Sequence, residues 1–249
     1  MLWDVDDTLL DAGGTGRELY QIAFREMFGR DMPQPGSMAG RTDRAIAVEM
    51  LTLAGVPDPR RRVDPFHALM AARAPALAGL ARERVRALPG AEQAVAALGG
   101  LADGQADGQA RVGRRQASVV QSLLTGNIRP LAEVKLGVLG LSGHLDLDAG
   151  AYGDAHEVRA ELVPVARRNA ALAYGGDFGG QATVLVGDTP FDIGAALATG
   201  ARAVGVATGG FSVGELAASG AHAVLPDLAD TDLVLAAILG PQGPLGNVG

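Results

Sequence analysis

The sequence contains no cysteine, a single lysine and few aromatic residues among its 249 positions. The absence of cysteine excludes disulfides, thiolate metal ligands, iron–sulfur clusters and cysteine nucleophiles. The four histidines are widely spaced, which argues against a zinc site built from imidazoles. No apolar run approaches the roughly 20 residues that a membrane-spanning helix needs. The first residues do not follow a signal-peptide pattern, so we expect a cytoplasmic protein.

The charge balance is acidic, with 21 basic residues, 28 acidic residues and a net charge of −7. An acidic chain has no general attraction to nucleic acid or to an anionic membrane, so neither is an expected partner. We expect a monomer or a weak homodimer.

The tandem repeat at 102–109 and the glycine- and proline-rich segment 241–249 are both predicted to be flexible.

Short apolar runs alternate with helical patterns over much of the chain. The runs typical of buried strands are 118–124, 183–186, 203–207 and 223–225, with a weaker run at 145–147. Helical patterns lie between them, at 130–140, 159–173, 190–199 and 212–219. This alternation predicts an α/β fold, a Rossmann-like parallel sheet with helices on both faces.

Residues 14–90 differ because no strand pattern is evident there. The helical patterns of this segment are 14–27, 42–53, 65–72 and 76–86. We interpret residues 14–90 as an all-helical cap inserted into an α/β core formed by residues 1–13 and 91–240. Glycines near residue 14 are candidate hinges for closure of that cap.

Three apolar runs end in small polar or acidic residues. Asp4 and Asp6 follow the first run, Thr125–Asn127 follow another, and Asp188 ends a third, with Asp192 four residues later. Because ligands in open parallel sheets sit at the carboxyl ends of strands, these groups are predicted to meet. Clustered carboxylate oxygens at a half-open site suit Mg²⁺. Each segment taken alone also fits a turn that caps a helix.

These three segments resemble three of the four motifs of the haloacid dehalogenase (HAD) superfamily, in the right order. They are Asp4-Val-Asp6-Asp7-Thr8, Thr125-Gly126-Asn127 and Gly187-Asp188-Thr-Pro-Phe-Asp192. The helical insert resembles the small cap of phosphoglycolate-phosphatase-like and β-phosphoglucomutase-like members. The resemblance implies a Mg²⁺-dependent phosphatase that hydrolyses a small phosphorylated metabolite through an aspartyl phosphate.

The resemblance also implies roles for individual residues. Asp4 is the nucleophile, and Asp6 protonates the leaving alcohol and then activates water. Thr125 binds phosphoryl oxygens. The further core residues that we expect to contact the substrate are Thr8, Gly126 and Asn127. The implied Mg²⁺ ligands are Asp4, the carbonyl of Asp6, and Asp188, with Asp192 in support.

The family also places a cation beside the nucleophile and the phosphate. We predict that Arg159 fills this role, with Lys135 as the alternative. Lys135 lies well inside a predicted helix, so its side chain would have to fold back to reach the strand ends. In the cap, Arg41 is a candidate for binding a second anionic group of the substrate.

Two other functions fit the same residues. A phosphotransferase of the β-phosphoglucomutase type would depend on a bisphosphate activator, whereas a phosphatase releases phosphate without one. A non-enzymatic regulatory module would keep Asp4 phosphorylated without turnover. The helical insert and the Gly-Asp-x-x-x-Asp pattern at 187–192 argue against such a module. A dehalogenase is disfavoured because Asp6 would have no role in halide displacement.

Overall fold

The computed structural model describes residues 1–103 and 119–240, so segment 241–249 and nearly all of the repeat lie outside the described residues. In chain order the strands are β1 (Leu2–Trp3), β2 (Leu10–Asp11), β3 (Arg86–Ala87), β4 (Ser122–Leu123), β5 (Val184–Gly187), β6 (Arg202–Val206) and β7 (Ala223–Leu225). The helices are α1 (Thr15–Phe28), α2 (Asp43–Leu53), α3 (Pro59–Arg73), α4 (Ala78–Arg84), α5 (Ala91–Asp103), α6 (Arg129–Gly137), α7 (Leu162–Tyr174), α8 (Pro190–Ala198), α9 (Val213–Ala218) and α10 (Thr231–Leu239).

Five strands form one parallel sheet in the order β4-β1-β5-β6-β7. β1 lies between β4 and β5, with Leu2 opposite both Ser122 and Leu185. The backbone pairing continues past β1, because the Asp4 amide donates to the Val186 carbonyl at 2.8 Å. The predicted α/β core is therefore confirmed, and the chain segments that leave β4, β1 and β5 emerge side by side at one edge.

Side chains alternate between the two faces of this sheet, as the period of a strand requires. Trp3 and Val186 pack in one apolar cluster with residues of α5 and α10. Leu2 and Leu185 pack in another cluster with residues of α7 and α8. Since both faces are buried, the strands are continuous apolar runs without polar alternation.

The helices α1–α4, which we call the cap, lie between β2 and β3 along the chain. β2 and β3 pair antiparallel, with Leu10 opposite Ala87, and so bring the two ends of the insert together. The cap has its own apolar cluster, in which the rings of Tyr20 and Phe66 lie 5.7 Å apart. The predicted helical cap is confirmed as a fold feature, while its bounds at 14 and 90 stay a prediction.

The structure corrects two elements. Residues 145–147 do not form a strand, because the Asp146 carboxylate accepts hydrogen bonds from the amides of Asp148 and Ala149 and starts a 3₁₀ turn, Leu147–Ala149. Helix α3 begins at Pro59 and not at Pro65. Proline is favoured in the first turn of a helix, and Pro59 occupies that turn while Pro65 lies inside the helix.

None of the helices in the described part of the chain combines the length and the hydropathy of a bilayer-spanning segment.

Gly90, at the junction between β3 and α5, is a position where we expect a large stability effect. Its φ is +79°, and an added Cβ would overlap the backbone of Leu228. We expect Gly90→Ala to lower the melting temperature by about 6–12 °C, from a loss of about 3 kcal/mol. Gly194→Ala is the matched control, because Gly194 lies in α8 with open space around it and should be stabilised by alanine. Equal melting temperatures for the two variants would contradict this account.

Candidate active site

Three carboxylates meet at the edge where β1 and β5 end. One oxygen from each of Asp4, Asp188 and Asp192 lies within 4.8 Å of the others, and all three side chains are buried. Asp4 directly follows β1, Asp188 directly follows β5, and Asp192 lies in the first turn of α8. The predicted convergence of the two acidic segments is therefore present in the structure.

Arg159 provides the positive charge beside this cluster. Its Nη2 lies 2.9 Å from Oδ1 of Asp4 and 2.6 Å from Oδ1 of Asp192. The same nitrogen donates to the Leu124 carbonyl at 3.1 Å, and Nη1 donates to the Gly40 carbonyl in the cap segment at 3.3 Å. The Arg159 side chain is only 5% exposed, and its guanidinium is shared by the buried carboxylates of Asp4 and Asp192.

Lys135 also reaches the strand ends. Its Nζ lies 2.8 and 2.7 Å from the two carboxylate oxygens of Asp6 and 2.8 Å from Oδ1 of Asn127. Side chains on a helix lean towards its N-terminus, which carries the long lysine stem back along α6. The two cations that the sequence offered as alternatives therefore both lie in the site, Arg159 on Asp4 and Lys135 on Asp6.

The loop after β4 borders the same site. The side-chain nitrogen Nδ2 of Asn127 donates to Oγ1 of Thr125 at 2.9 Å and to Oδ2 of Asp6 at 3.1 Å. These bonds link the loop directly to the segment after β1. Thr8 has another position: it is fully buried and its hydroxyl donates to Oδ1 of Asp188 at 3.2 Å. The Thr8 side chain therefore orients Asp188 and does not line the cavity.

Asp192 caps helix α8, as its sequence position allowed, and also contacts Arg159. Its Oδ2 accepts hydrogen bonds from the Thr189 hydroxyl at 2.6 Å and the Thr189 amide at 3.1 Å, which completes a capping box for α8. Its other oxygen accepts from Arg159. Because the protein engages both oxygens, Asp192 holds Arg159 and the strand end in place. An added Cβ on Gly187 would overlap the Asp192 side chain, so this packing needs glycine.

The electrostatics of the cluster fit a bound cation. Burial, helped by the neighbouring Asp192 and Asp6, raises the pKa of Asp4 to about 7 in spite of Arg159. Burial, then Asp4, Asp192 and Asp7, raise the pKa of Asp188 to about 8. Ionised carboxylates this close are costly without a counter-ion. Their oxygens are the ligands that Mg²⁺ prefers, so the residues present fit that ion.

A cavity of about 300 Å³ lies above these groups, between the core and the cap. The cap residues that line it are Gly16, Arg17, Tyr20, Met38, Ala39, Gly40, Arg41, Asp43 and Ile46. The Arg41 guanidinium forms an ion pair with Glu49 and donates to the Ser37 carbonyl. Arg41 therefore borders the cavity with its charge already partnered, and its binding of a second substrate anion stays a prediction.

Residues 159–231 match the family model described as HAD-hydrolase-like. This segment of the chain therefore resembles part of a HAD-like hydrolase. Similar solved structures include a hydrolase from Pseudomonas syringae, 20% identical with a TM-score of 0.60, covering 95% of this chain and 97% of that one. A predicted phosphatase from Clostridium acetobutylicum is 15% identical with a TM-score of 0.60, covering 94% of each chain.

A haloacid dehalogenase-like family hydrolase from Streptococcus pneumoniae is 15% identical with a TM-score of 0.55, covering 94% of this chain and 95% of that one. At these identities the likeness concerns the fold, and it extends over the cap as well as the HAD-like core. No curated protein matches the chain. The predicted resemblance to the HAD superfamily is confirmed.

Three residues of this site had no role assigned from the sequence. Asp43 and Tyr20 line the cavity from the cap and are hydrogen-bonded to each other. Gly209, in the loop after β6, lies so close to Asp188 that an added Cβ would overlap its carboxylate. The sequence signal for Gly209 is the Thr208-Gly209-Gly210 turn after an apolar run. Asp43 follows Thr42, so it has the sequence position of an ordinary first-turn carboxylate.

Proposed function

We propose that this chain is a Mg²⁺-dependent phosphatase that hydrolyses a small phosphorylated metabolite through an aspartyl phosphate on Asp4. The observation that carries the proposal is the setting of Asp4. It borders the cavity, bonds to the buried Arg159, and lies with Asp188 in a cluster of carboxylates. A carboxylate attacking an anionic phosphoryl group needs positive charge nearby, which Arg159 and a cation held by the carboxylates would supply.

The chain's own residues support two displacement steps. An Asp4 oxygen forms a bond to phosphorus while the ester bond breaks, and Asp6 gives a proton to the leaving oxygen. Water then attacks phosphorus, Asp6 takes its proton, and the bond to Asp4 breaks with release of phosphate. Lys135 and Asn127 hold Asp6 in position for both transfers. The Thr125 hydroxyl and the amides of Gly126 and Asn127 hold phosphoryl oxygens.

Asp4, the Asp6 carbonyl and Asp188 would hold Mg²⁺, with Asp192 in support through Arg159. The ion supplies charge neutralisation for the nucleophile and the phosphoryl group. Thr8 donates to Asp188 and Gly209 leaves room for it, so both orient this ligand.

Mg²⁺ binding should stabilise the protein in a pH-dependent way. Because the pKa values of Asp4 and Asp188 are raised to about 7 and about 8, both groups are largely protonated at pH 6 and must lose protons to bind the ion. We expect Mg²⁺ to raise the melting temperature by roughly 5–10 °C at pH 8.5, and much less at pH 6.

Asp188→Asn should abolish this stabilisation by Mg²⁺, while Asp31→Asn, at an exposed surface ion pair, should keep it. Calorimetry of the three proteins with and without Mg²⁺ at both pH values gives the test. A Mg²⁺ effect that Asp188→Asn leaves intact would place the ion elsewhere.

Phosphate release decides the activity. We expect a panel of phosphorylated metabolites, incubated with Mg²⁺, to contain substrates from which the chain releases phosphate without any bisphosphate activator. A requirement for such an activator would indicate the β-phosphoglucomutase-type phosphotransferase instead. Stable phosphorylation of Asp4 without turnover would indicate the regulatory module.

A further inference from the structure

Asp43 bridges the cap and the loop after β4. Its Oδ2 accepts a hydrogen bond from the Ile128 amide at 2.7 Å, and its Oδ1 accepts one from the Tyr20 hydroxyl at 2.9 Å. Its own amide donates to the Gly126 carbonyl at 2.7 Å. One buried residue at the start of α2 thus makes two bonds to the loop that runs from Thr125 to Ile128.

The backbones of the cap and the core approach each other so closely here that side chains do not fit between them. An added Cβ on Gly126 would overlap the Arg41 carbonyl, and one on Gly153 would crowd the Asp43 amide. The Arg44 amide donates to the Gly153 carbonyl at 2.9 Å. A shift of the cap segment at 40–44 therefore moves the loop after β4 with it.

Within the described residues Asp43 has neutral hydrogen-bond donors and no ion pair. The groups that face it are the Tyr20 hydroxyl of α1, His67 of α3, Lys135 of α6, Arg41 and Asp6. Both nearby cations have carboxylate partners of their own: Asp6 binds Lys135, and Glu49 binds the Arg41 guanidinium. Burial raises the pKa of Asp43 to about 6, although the Ile128 amide and the Tyr20 hydroxyl act in the opposite direction.

We propose that Asp43 is a positioning residue that holds the Thr125–Ile128 loop from the cap, so that the phosphoryl-binding groups are in place only when the cap is seated on the core. This inference rests on the proposed function for its catalytic consequence. The positioning itself is independent of any activity, because it concerns the Ile128 amide and the cap alone.

Exchange of the Ile128 amide proton, followed by NMR on the full chain, tests the positioning. We expect Asp43→Ala to accelerate this exchange at least about 10-fold, because the amide loses its acceptor. Asp43→Asn retains an acceptor of the same shape and should stay within about 3-fold of wild type. Thr52→Ala, on the exposed side of the same helix α2, is the matched control and should leave the exchange unchanged. Unchanged exchange in Asp43→Ala would overturn the proposal, whether or not the chain is a phosphatase.

The kinetic arm uses a substrate identified by phosphate release. Asp43→Ala should lower kcat/KM by about 30-fold, mainly through kcat, with Asp43→Asn restoring most of it at pH 7. Accelerated exchange with kcat/KM within 3-fold of wild type would overturn the positioning role. If wild type releases no phosphate from any substrate, the proposed function fails. Amide exchange at Ile128 still shows whether Asp43 holds the loop.

The pH dependence separates this role from a merely structural one. When the cap is seated, the buried Asp43 carboxyl takes up a proton below about pH 6. An exposed aspartate, with the ordinary pKa of 3.8, takes one up only at lower pH. Lowering the pH from 7 to 5 therefore favours the seated cap in wild type. The kcat/KM of wild type relative to that of Asp43→Asn should rise over this range, and the Ile128 amide shift should titrate in wild type only. A constant kcat/KM ratio with no such titration would overturn the proposal.

Discussion

Asp4→Asn should reduce phosphate release by at least about 10⁴-fold, the scale expected when a nucleophile is removed. The amide has nearly the shape of the carboxylate but does not attack phosphorus. The variant should nevertheless be as stable as wild type, or more stable, at pH 8. Burial raises the pKa of Asp4 to about 7, so its ionised form costs folding free energy above that pH. Phosphate release and thermal unfolding, measured on the same preparation, check both expectations.

The sign of the stability effect follows from linkage. Between pH 4 and 7 the folded protein holds a proton on Asp4 that the unfolded chain has lost, so this group's contribution to stability declines as pH rises. Asn carries no proton and should remove that decline. Asp31→Asn, at 82% exposure, is the control that should change neither quantity. Residual activity above about 1% in Asp4→Asn, with the fold intact, would mean that another group accepts the phosphoryl.

The core was predictable because its signals are local. Apolar runs that end in Asp4, Thr125 and Asp188 mark buried strands and their carboxyl ends, and parallel topology then brings those ends together. The strand predicted at 145–147 was wrong because the chain turns there: the Asp146 carboxylate accepts hydrogen bonds from the amides of Asp148 and Ala149 and starts a 3₁₀ turn. In the hydrophobic pattern Asp146 counts only as a polar residue. The pattern does not show that its side chain competes with strand pairing for the backbone amides.

The cations and the cap were less predictable because they depend on distances across the fold. Lys135 appeared too far along its helix, but the orientation of α6 turns the ammonium towards Asp6. Asp43 has the sequence position of an N-terminal helix carboxylate, yet it bonds to a loop 85 positions away. Neither contact has a sequence signal, since each is fixed by how two separately predictable elements pack.

Arg159→Ala should have the second large effect, and it should exceed that of Lys135→Ala. Arg159 is buried between Asp4 and Asp192, and its removal leaves both carboxylates without their shared cation. Breaking a buried ion pair in this way costs about 3–5 kcal/mol of stability. We expect kcat to fall by about 10³-fold or more. The nucleophile loses the cation that orients it, and the phosphoryl group loses a positively charged neighbour.

Lys135→Ala should cost less, about 10²-fold in kcat, because its partner Asp6 has 37% of its side chain exposed and water replaces part of the lost interaction. Arg159→Lys keeps the charge without the forked geometry, so it should regain stability more than activity. Arg167→Ala is the control for losing a packed arginine, because among the described residues the Arg167 guanidinium donates hydrogen bonds only to neutral groups.

The destabilisation by Arg159→Ala should also depend on pH in a direction that identifies its cause. Without the guanidinium, Asp4 ionises less readily than in wild type, where Arg159 lowers its pKa against the effect of burial. The loss of stability should therefore be larger at pH 8 than at pH 5.5, where Asp4 carries a proton in both proteins. Urea unfolding at the two pH values measures this difference. If Lys135→Ala proved the more damaging change in both kcat and stability, Lys135 and not Arg159 would be the cation on which the site depends.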